Sequence, residues 1–238
     1  MGRHLLSRGV LAAVLACGLA ASGGPALAAS PVAASATRPS GCAPNTARIP
    51  SGADTASIPD IDGDGKRDVE WYADGPNGAS FGVRTASGRT VAHPDELAGP
   101  AQHRLWTARL LNGVVVLVSD DQRTANLYAF VGCRIRTVHD AQGTAYRFGL
   151  RHITDHGSGV ACAFHDGGRR LYGDDARRRS DGRYDIVRTR VNVSADGRTA
   201  TNGRSATIAR NLAQNDPRVS RANTSTCGGI AVVHTSGR

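Results

Sequence analysis

The chain has 238 residues, of which 40% are hydrophobic and 5% aromatic, and its formal net charge is +9. Nearly all of its cations are arginines scattered along the chain, with Lys66 as the lone lysine, so the charge does not indicate a phosphate-binding face and we expect no nucleic-acid partner. Anionic cell-surface or extracellular polymers are the partners that a basic charge favours. No specific partner follows from the composition.

Residues 1–28 have the pattern of a secretory signal peptide. Arg3 and Arg8 precede the apolar run 9–21, and the small residues of 26–28 suit signal peptidase, so we predict cleavage after Ala28. The run is too short to cross about 30 Å of hydrocarbon as a helix, and no later segment is longer, so we expect secretion without a transmembrane span. Cys17 lies inside the run, and lipoprotein anchoring through it is the alternative.

Four cysteines remain after cleavage, which in a non-reducing compartment indicates two disulfides. They are Cys42, Cys133, Cys162 and Cys227. Three pairings are open. We favour Cys133–Cys162, which would join neighbouring strand-like segments, and Cys42–Cys227, which would tie the two ends of the chain. No cysteine spacing supports a zinc site.

The chain that follows the signal peptide is predicted to be mainly β. Residues 29–50 form a flexible Ala/Ser/Pro-rich leader, 51–212 a β-repeat domain, and 213–238 a C-terminal segment tied by a disulfide. In the middle region, short apolar runs alternate with Gly, Pro, Asn and Asp turns. The predicted strands are 69–73, 81–85, 114–118, 127–131, 184–193 and 206–209. Helical turns are expected at 94–99 and 212–216.

The strongest motif is the acidic, glycine-containing stretch 60–68. Carboxylates at alternate positions turn toward one centre when the backbone bends sharply, and Gly65 permits that bend. Hard oxygen ligands in a flexible loop indicate Ca²⁺. The predicted ligands are Asp60, Asp62, Asp64, the Lys66 carbonyl and Asp68. Trp71 stands where an EF-hand has its bidentate Glu, and Pro59 leaves no room for a preceding helix, so the loop should lie between strands.

Residues 59–71 resemble the FG-GAP/VCBS repeat of exported bacterial proteins and integrin-type β-propellers. The resemblance implies a loop that joins two strands of a four-stranded blade and is pinned by calcium. It extends to exported actinobacterial-type proteins through Phe81–Val83, 127–133 and 159–162. Aligning Gly65 with Gly113 or Gly168 gives two degenerate copies that keep a turn and a strand but almost no ligand.

About three blade-like units are therefore expected, in a partial or degenerate β-propeller stapled by disulfides. A small sandwich, or an assembly closed by oligomerisation, is the alternative architecture. Asp120-Asp121 and Asp174-Asp175 are expected in solvated turns.

No catalytic residue is predicted, because the chain contains no G-x-S-x-G, H-E-x-x-H or Walker A motif. The leading hypothesis is an exported calcium-binding repeat protein with a structural, adhesive or binding role. One alternative is a secreted hydrolase of polysaccharide or lipid with a structural calcium loop. Another is a binder of anionic surface polymers that uses the arginine excess.

Overall fold

Strands dominate the computed structural model, which describes residues 41–76, 78–97, 102–150 and 156–235. The predicted signal peptide, Cys17 and leader residues 29–40 lie outside this described part. The elements are β1 (Asp54–Ile58), β2 (Asp68–Ala73), β3 (Ser80–Arg84), β4 (Thr90–Pro94), β5 (Arg104–Arg109), β6 (Val115–Asp120), β7 (Thr124–Val131), β8 (Arg134–Thr137), β9 (Arg147–Gly149), β10 (His156–His165), β11 (Gly168–Arg178), β12 (Tyr184–Val193), β13 (Ala200–Leu212), α1 (Pro217–Arg221), β14 (Ser225–Cys227) and β15 (Val233–His234).

The strands form three sheets, and each sheet is built on four antiparallel strands that follow one another along the chain. Sheet 1 consists of β1, β2, β3 and β4. Sheet 2 contains β5 to β8, with β15 beside β5 and β9 beside the start of β7. Sheet 3 contains β10 to β13, with β14 added parallel to β10.

Sheet 2 is the middle layer, and its strand β6 explains why the sequence there is apolar at consecutive positions. Val115 and Leu117 pack into a cluster with sheet 1 residues such as Phe81. Val116 and Val118 point the other way, into a cluster shared with sheet 3. Since neighbouring side chains of a strand face opposite sides, burial on both faces explains the consecutive apolar residues 115–118.

The mainly β fold class is confirmed, and each of the six predicted strands overlaps a strand of the structure. None of the three sheets closes on itself within the described residues, so the propeller interpretation stays a prediction. The helical turn expected at 212–216 is wrong, because Asp216 instead caps a helix that begins at Pro217. The turn expected at 94–99 is also absent from residues 94–97, the described part of that range.

Both disulfides are present, but the favoured pairing is wrong. Cys42 pairs with Cys133, and Cys162 pairs with Cys227. The second bond joins residues directly opposite each other on the parallel strands β10 and β14. A strand order in which the C-terminal segment returns to β10 has no local signature in the sequence. Two disulfides are consistent with an extracellular, non-reducing compartment.

The two acidic pairs are not solvated turns, since Asp120, Asp121 and Asp174 are buried. Arg104 donates to Asp120 at 2.7 Å, and Arg188 holds both oxygens of Asp174 at 2.6 and 2.7 Å. A carboxylate removed from water needs such a partner, because an isolated buried charge is costly. Arg104 and Arg188 therefore pair with carboxylates that are buried in the sheets.

Candidate metal centre

The acidic loop connects β1 to β2, as expected from its position between apolar runs. The two strands pair as far as Ile58 and Asp68, which lie opposite each other, and the residues between them form the loop. Gly63 and Gly65 adopt φ values of 86° and 84°, which side chains rarely tolerate. The predicted role of Gly65 as the residue that lets the loop turn is consistent with this geometry.

Three of the predicted ligands come together in this loop. Asp60, Asp62 and Asp68 each offer a carboxylate oxygen, and these oxygens lie within 4.8 Å of one another. Asp68 is almost fully buried, with 1% of its surface exposed. Asp64 does not belong to this group and accepts a hydrogen bond from the Lys66 N–H at 2.8 Å. Asp64 and the Lys66 carbonyl remain predicted ligands.

Backbone N–H groups hold two of these carboxylates in place. Asp60 accepts hydrogen bonds from Gly63 at 2.7 Å and Gly65 at 2.8 Å. Asp68 accepts from Ile61 at 2.6 Å and from Ala86, in the turn between β3 and β4, at 2.8 Å. A carboxylate has about four lone-pair positions, so these bonds leave acceptor capacity for a cation.

Asp62 is held from outside the loop, by a contact that the sequence did not reveal. Its Oδ2 accepts a hydrogen bond from the Cys42 N–H at 2.8 Å. Ser87 Oγ lies 2.7 Å from that same oxygen and 2.7 Å from the Cys42 carbonyl, and its single proton can serve one of them at a time. Gly41 packs so closely that an added Cβ would lie 2.9 Å from Asp62 Oδ2. Residues 41 and 42, inside the predicted flexible leader 29–50, are thus held against the loop and form part of the site.

The electrostatics of the loop favour a cation. Burial raises the pKa of Asp68, and the nearby charges of Asp62 and Asp60 raise it further, against the hydrogen bonds from Ile61 and Ala86. Burial also acts to raise the pKa of Asp62, but the hydrogen bonds from Cys42 and Ser87 outweigh it and hold that pKa below its usual value. A divalent cation would offset the repulsion within the group and favour the charged carboxylates.

Comparisons with known proteins identified no relative of this chain. A scan of family models, a search of curated proteins and a search of solved structures each found no match. Within the described residues, this is the one group of three or more acidic, histidine or cysteine side chains arranged to hold a metal. No helix of the described chain has both the length and the apolar character required to span a membrane.

Proposed function

We propose that this chain is an exported calcium-binding β protein in which the cation fixes the junction of β1 and β2. The observation that carries the proposal is the convergence of Asp60, Asp62 and Asp68 within 4.8 Å, with Asp68 buried beneath the loop. The role that follows is structural, adhesive or binding. A bound cation would hold one corner of sheet 1 rigid outside the cell.

The chemistry of the group favours a hard divalent ion such as Ca²⁺ over metals that prefer sulfur or imidazole ligands. All three side chains offer carboxylate oxygens, which are hard ligands, and the loop is free of sulfur and imidazole. Ca²⁺ accepts six to eight oxygens in irregular geometry, so loop carbonyls and water can complete its shell. Extracellular calcium modules bind with dissociation constants of roughly 10⁻⁴–10⁻³ M, and we expect this range.

The arrangement of the sheets supports a degenerate FG-GAP/VCBS-like repeat. The acidic loop joins the first two strands of sheet 1. Gly113 lies between β5 and β6, the first two strands of the meander in sheet 2. Gly168 begins β11, directly after the turn that follows β10 in sheet 3. Gly113 therefore lies in the corresponding connection and Gly168 directly after it, as three copies of one unit would require.

Calcium should raise the thermal stability of the protein. With the dissociation constant expected above, 10 mM CaCl₂ adds about 1–3 kcal/mol to the free energy of unfolding, which raises the midpoint by roughly 3–10 °C. The measurement is thermal unfolding in CaCl₂ and in EDTA, for the wild type and for Asp62→Ala.

The variant should lose most of this response. A matched control is Asp140→Ala, because Asp140 also accepts two backbone hydrogen bonds but lies in the turn between β8 and β9. This control should keep the full calcium response. Equal unfolding midpoints in CaCl₂ and EDTA, for the wild type and Asp62→Ala alike, would contradict stabilisation of the protein by a bound metal.

A further inference from the structure

A cavity of about 300 Å³ lies between sheets 2 and 3, at the turn that joins β5 to β6. Strands β11 and β12 pair only as far as Leu171 and Val191, although β11 begins three residues earlier and β12 ends two residues later. These unpaired ends leave a gap in sheet 3, and the cavity lies at this gap. Its volume is at the lower end of the roughly 300–1,000 Å³ of ligand pockets, which suits a small molecule.

The β5–β6 turn is fixed in this gap by two hydrogen bonds. The Leu111 N–H donates to the Arg169 carbonyl at 2.7 Å, and Asn112 Nδ2 donates to the Val193 carbonyl at 2.9 Å. A Cβ added to Gly168 would lie 2.5 Å from Leu111 Cδ1, so the glycine lets Leu111 pack directly against β11. The walls of the cavity are therefore held in place by contacts within the protein.

Two arginines that line the cavity project from the same face of sheet 3. Arg190 lies opposite Tyr172 across β11 and β12, and Arg170 lies two residues before Tyr172. Side chains two residues apart on a strand share a face, so Arg170 and Arg190 are diagonal neighbours. Such neighbours lie roughly 7–8 Å apart, and long side chains at that separation can reach one ligand group.

These two arginines retain unused hydrogen-bond donors. Arg190 is exposed and forms no hydrogen bond or ion pair with the described residues. Arg170 Nη2 donates to Asp166 at 2.8 Å, but its Nε is buried and has no acceptor within the described residues. Arg169 also lines the cavity, but its guanidinium stacks on Phe164 instead. An unsatisfied buried donor is costly, and an anionic ligand would supply an acceptor; the described lining contains no carboxylate to repel it.

Much of the remaining lining is apolar. Leu111 is 42% exposed, and it is one of three large hydrophobic side chains exposed in the described part of the chain. Leu110, Leu171 and Val191 line the same cavity and are otherwise buried. Covering Leu111 with an apolar part of a ligand is favourable, because it removes apolar surface from water. An inorganic anion would leave Leu111 exposed, and a neutral apolar ligand would leave the arginines without an acceptor.

We propose that this cavity binds a small organic anion in which a carboxylate is attached to a short apolar chain. Arg190 and Arg170 receive the carboxylate, since arginine forms charge-assisted hydrogen bonds with carboxylates. Leu111 contacts the apolar chain. The proposal does not depend on calcium, because none of the predicted calcium ligands lines this cavity.

Titration of the ¹⁵N-labelled protein with three probes, followed by NMR, tests the proposal. Hexanoate carries both the charge and the chain, hexan-1-ol lacks the charge, and acetate lacks the chain. Hexanoate should shift the amide resonances of Leu111 and Arg190 saturably, and it should bind at least tenfold more tightly than either of the other probes. Raising NaCl to 0.5 M should weaken the binding of hexanoate, since exposed charges are screened.

Variants of exposed side chains, which should retain the fold, locate the binding. Arg190→Gln should weaken hexanoate at least fivefold. Leu111→Ala should reduce the preference for hexanoate over acetate at least threefold. Arg134→Gln, which changes an exposed arginine in β8, is the matched control and should bind as the wild type does. Equal affinity for hexanoate and hexan-1-ol, wild-type affinity in Arg190→Gln, an unchanged preference in Leu111→Ala, or equal weakening in Arg134→Gln would each overturn the proposal.

Discussion

Replacing Cys42 and Cys133 together by serine is expected to lower the free energy of unfolding by roughly 4–5 kcal/mol. The bond joins residues 91 positions apart, so its loss restores a large amount of conformational freedom to the unfolded chain. It also releases the segment around Cys42 from sheet 2. Urea unfolding of the double variant in EDTA measures this effect without a contribution from the metal.

The same variant should also bind calcium more weakly. The Cys42 N–H donates to Asp62 Oδ2, and the disulfide holds Cys42 over the loop. Without the bond, the segment around Cys42 must be ordered each time that calcium binds. The conformational entropy lost in that ordering makes the free energy of calcium binding less favourable.

The second disulfide provides the matched control for both measurements. Replacing Cys162 and Cys227 by serine opens a comparable loop of 65 positions between strands of sheet 3. It should destabilise the protein by roughly 4 kcal/mol. Its calcium affinity should stay at the wild-type value, because neither cysteine contacts the acidic loop. An unchanged calcium affinity in the Cys42/Cys133 variant would contradict the role given to the Cys42 segment.

Glu70 should make the stability of the protein depend strongly on pH. It lies in β2 with no exposed surface, and neither carboxylate oxygen has a well-formed hydrogen bond within the described residues. Burial raises the pKa of Glu70 to about 8 from 4.5, with a weak opposing effect of the Thr107 hydroxyl and an added raising effect of Asp54. At neutral pH the folded protein therefore keeps Glu70 protonated.

The sign of the effect follows from this raised pKa. Below pH 4.5 the carboxyl is protonated in both states, so its contribution to stability is fully present. As pH rises toward 8, the unfolded chain ionises first and stability is lost, by a total on the order of 3–5 kcal/mol. Glu70→Gln should remove this fall. Urea unfolding from pH 5 to pH 8.5, in EDTA, measures it.

Glu96, the only other glutamate, provides the control for this series. Its side chain is exposed, so Glu96→Gln should follow the wild-type curve. A parallel loss of stability by wild type and Glu70→Gln as pH rises would contradict a raised pKa for Glu70. A constant difference between the two curves would show that burial does not keep the carboxyl protonated.

The features that the sequence predicted correctly have local causes. The acidic loop follows from residue spacing, because carboxylates at alternate positions and glycines at 63 and 65 act within one turn. The strands follow from short apolar runs bounded by turn residues. For Glu70 and Tyr72, the apolar pattern predicts the strand in which they lie. It does not predict which residues from other parts of the chain pack against each face of that strand.

The features that the sequence did not predict depend on contacts between distant segments. Cys42 reaches Asp62 only because sheets 1 and 2 pack together, and Cys227 meets Cys162 only because β14 returns beside β10. The burial of Asp120 depends on Arg104 in the neighbouring strand. None of these pairings produces a sequence motif with a fixed spacing from which it could be predicted.

Direct titration with calcium tests the central claim most sharply. Calorimetry at high protein concentration should give one site per chain with a dissociation constant of roughly 10⁻⁴–10⁻³ M. Asp62→Asn should weaken this binding at least tenfold, Asp64→Asn should weaken it less, and Asp140→Asn should leave it unchanged. Absence of saturable calcium binding to the wild type, or equal binding by Asp62→Asn, would contradict a metal centre in this loop.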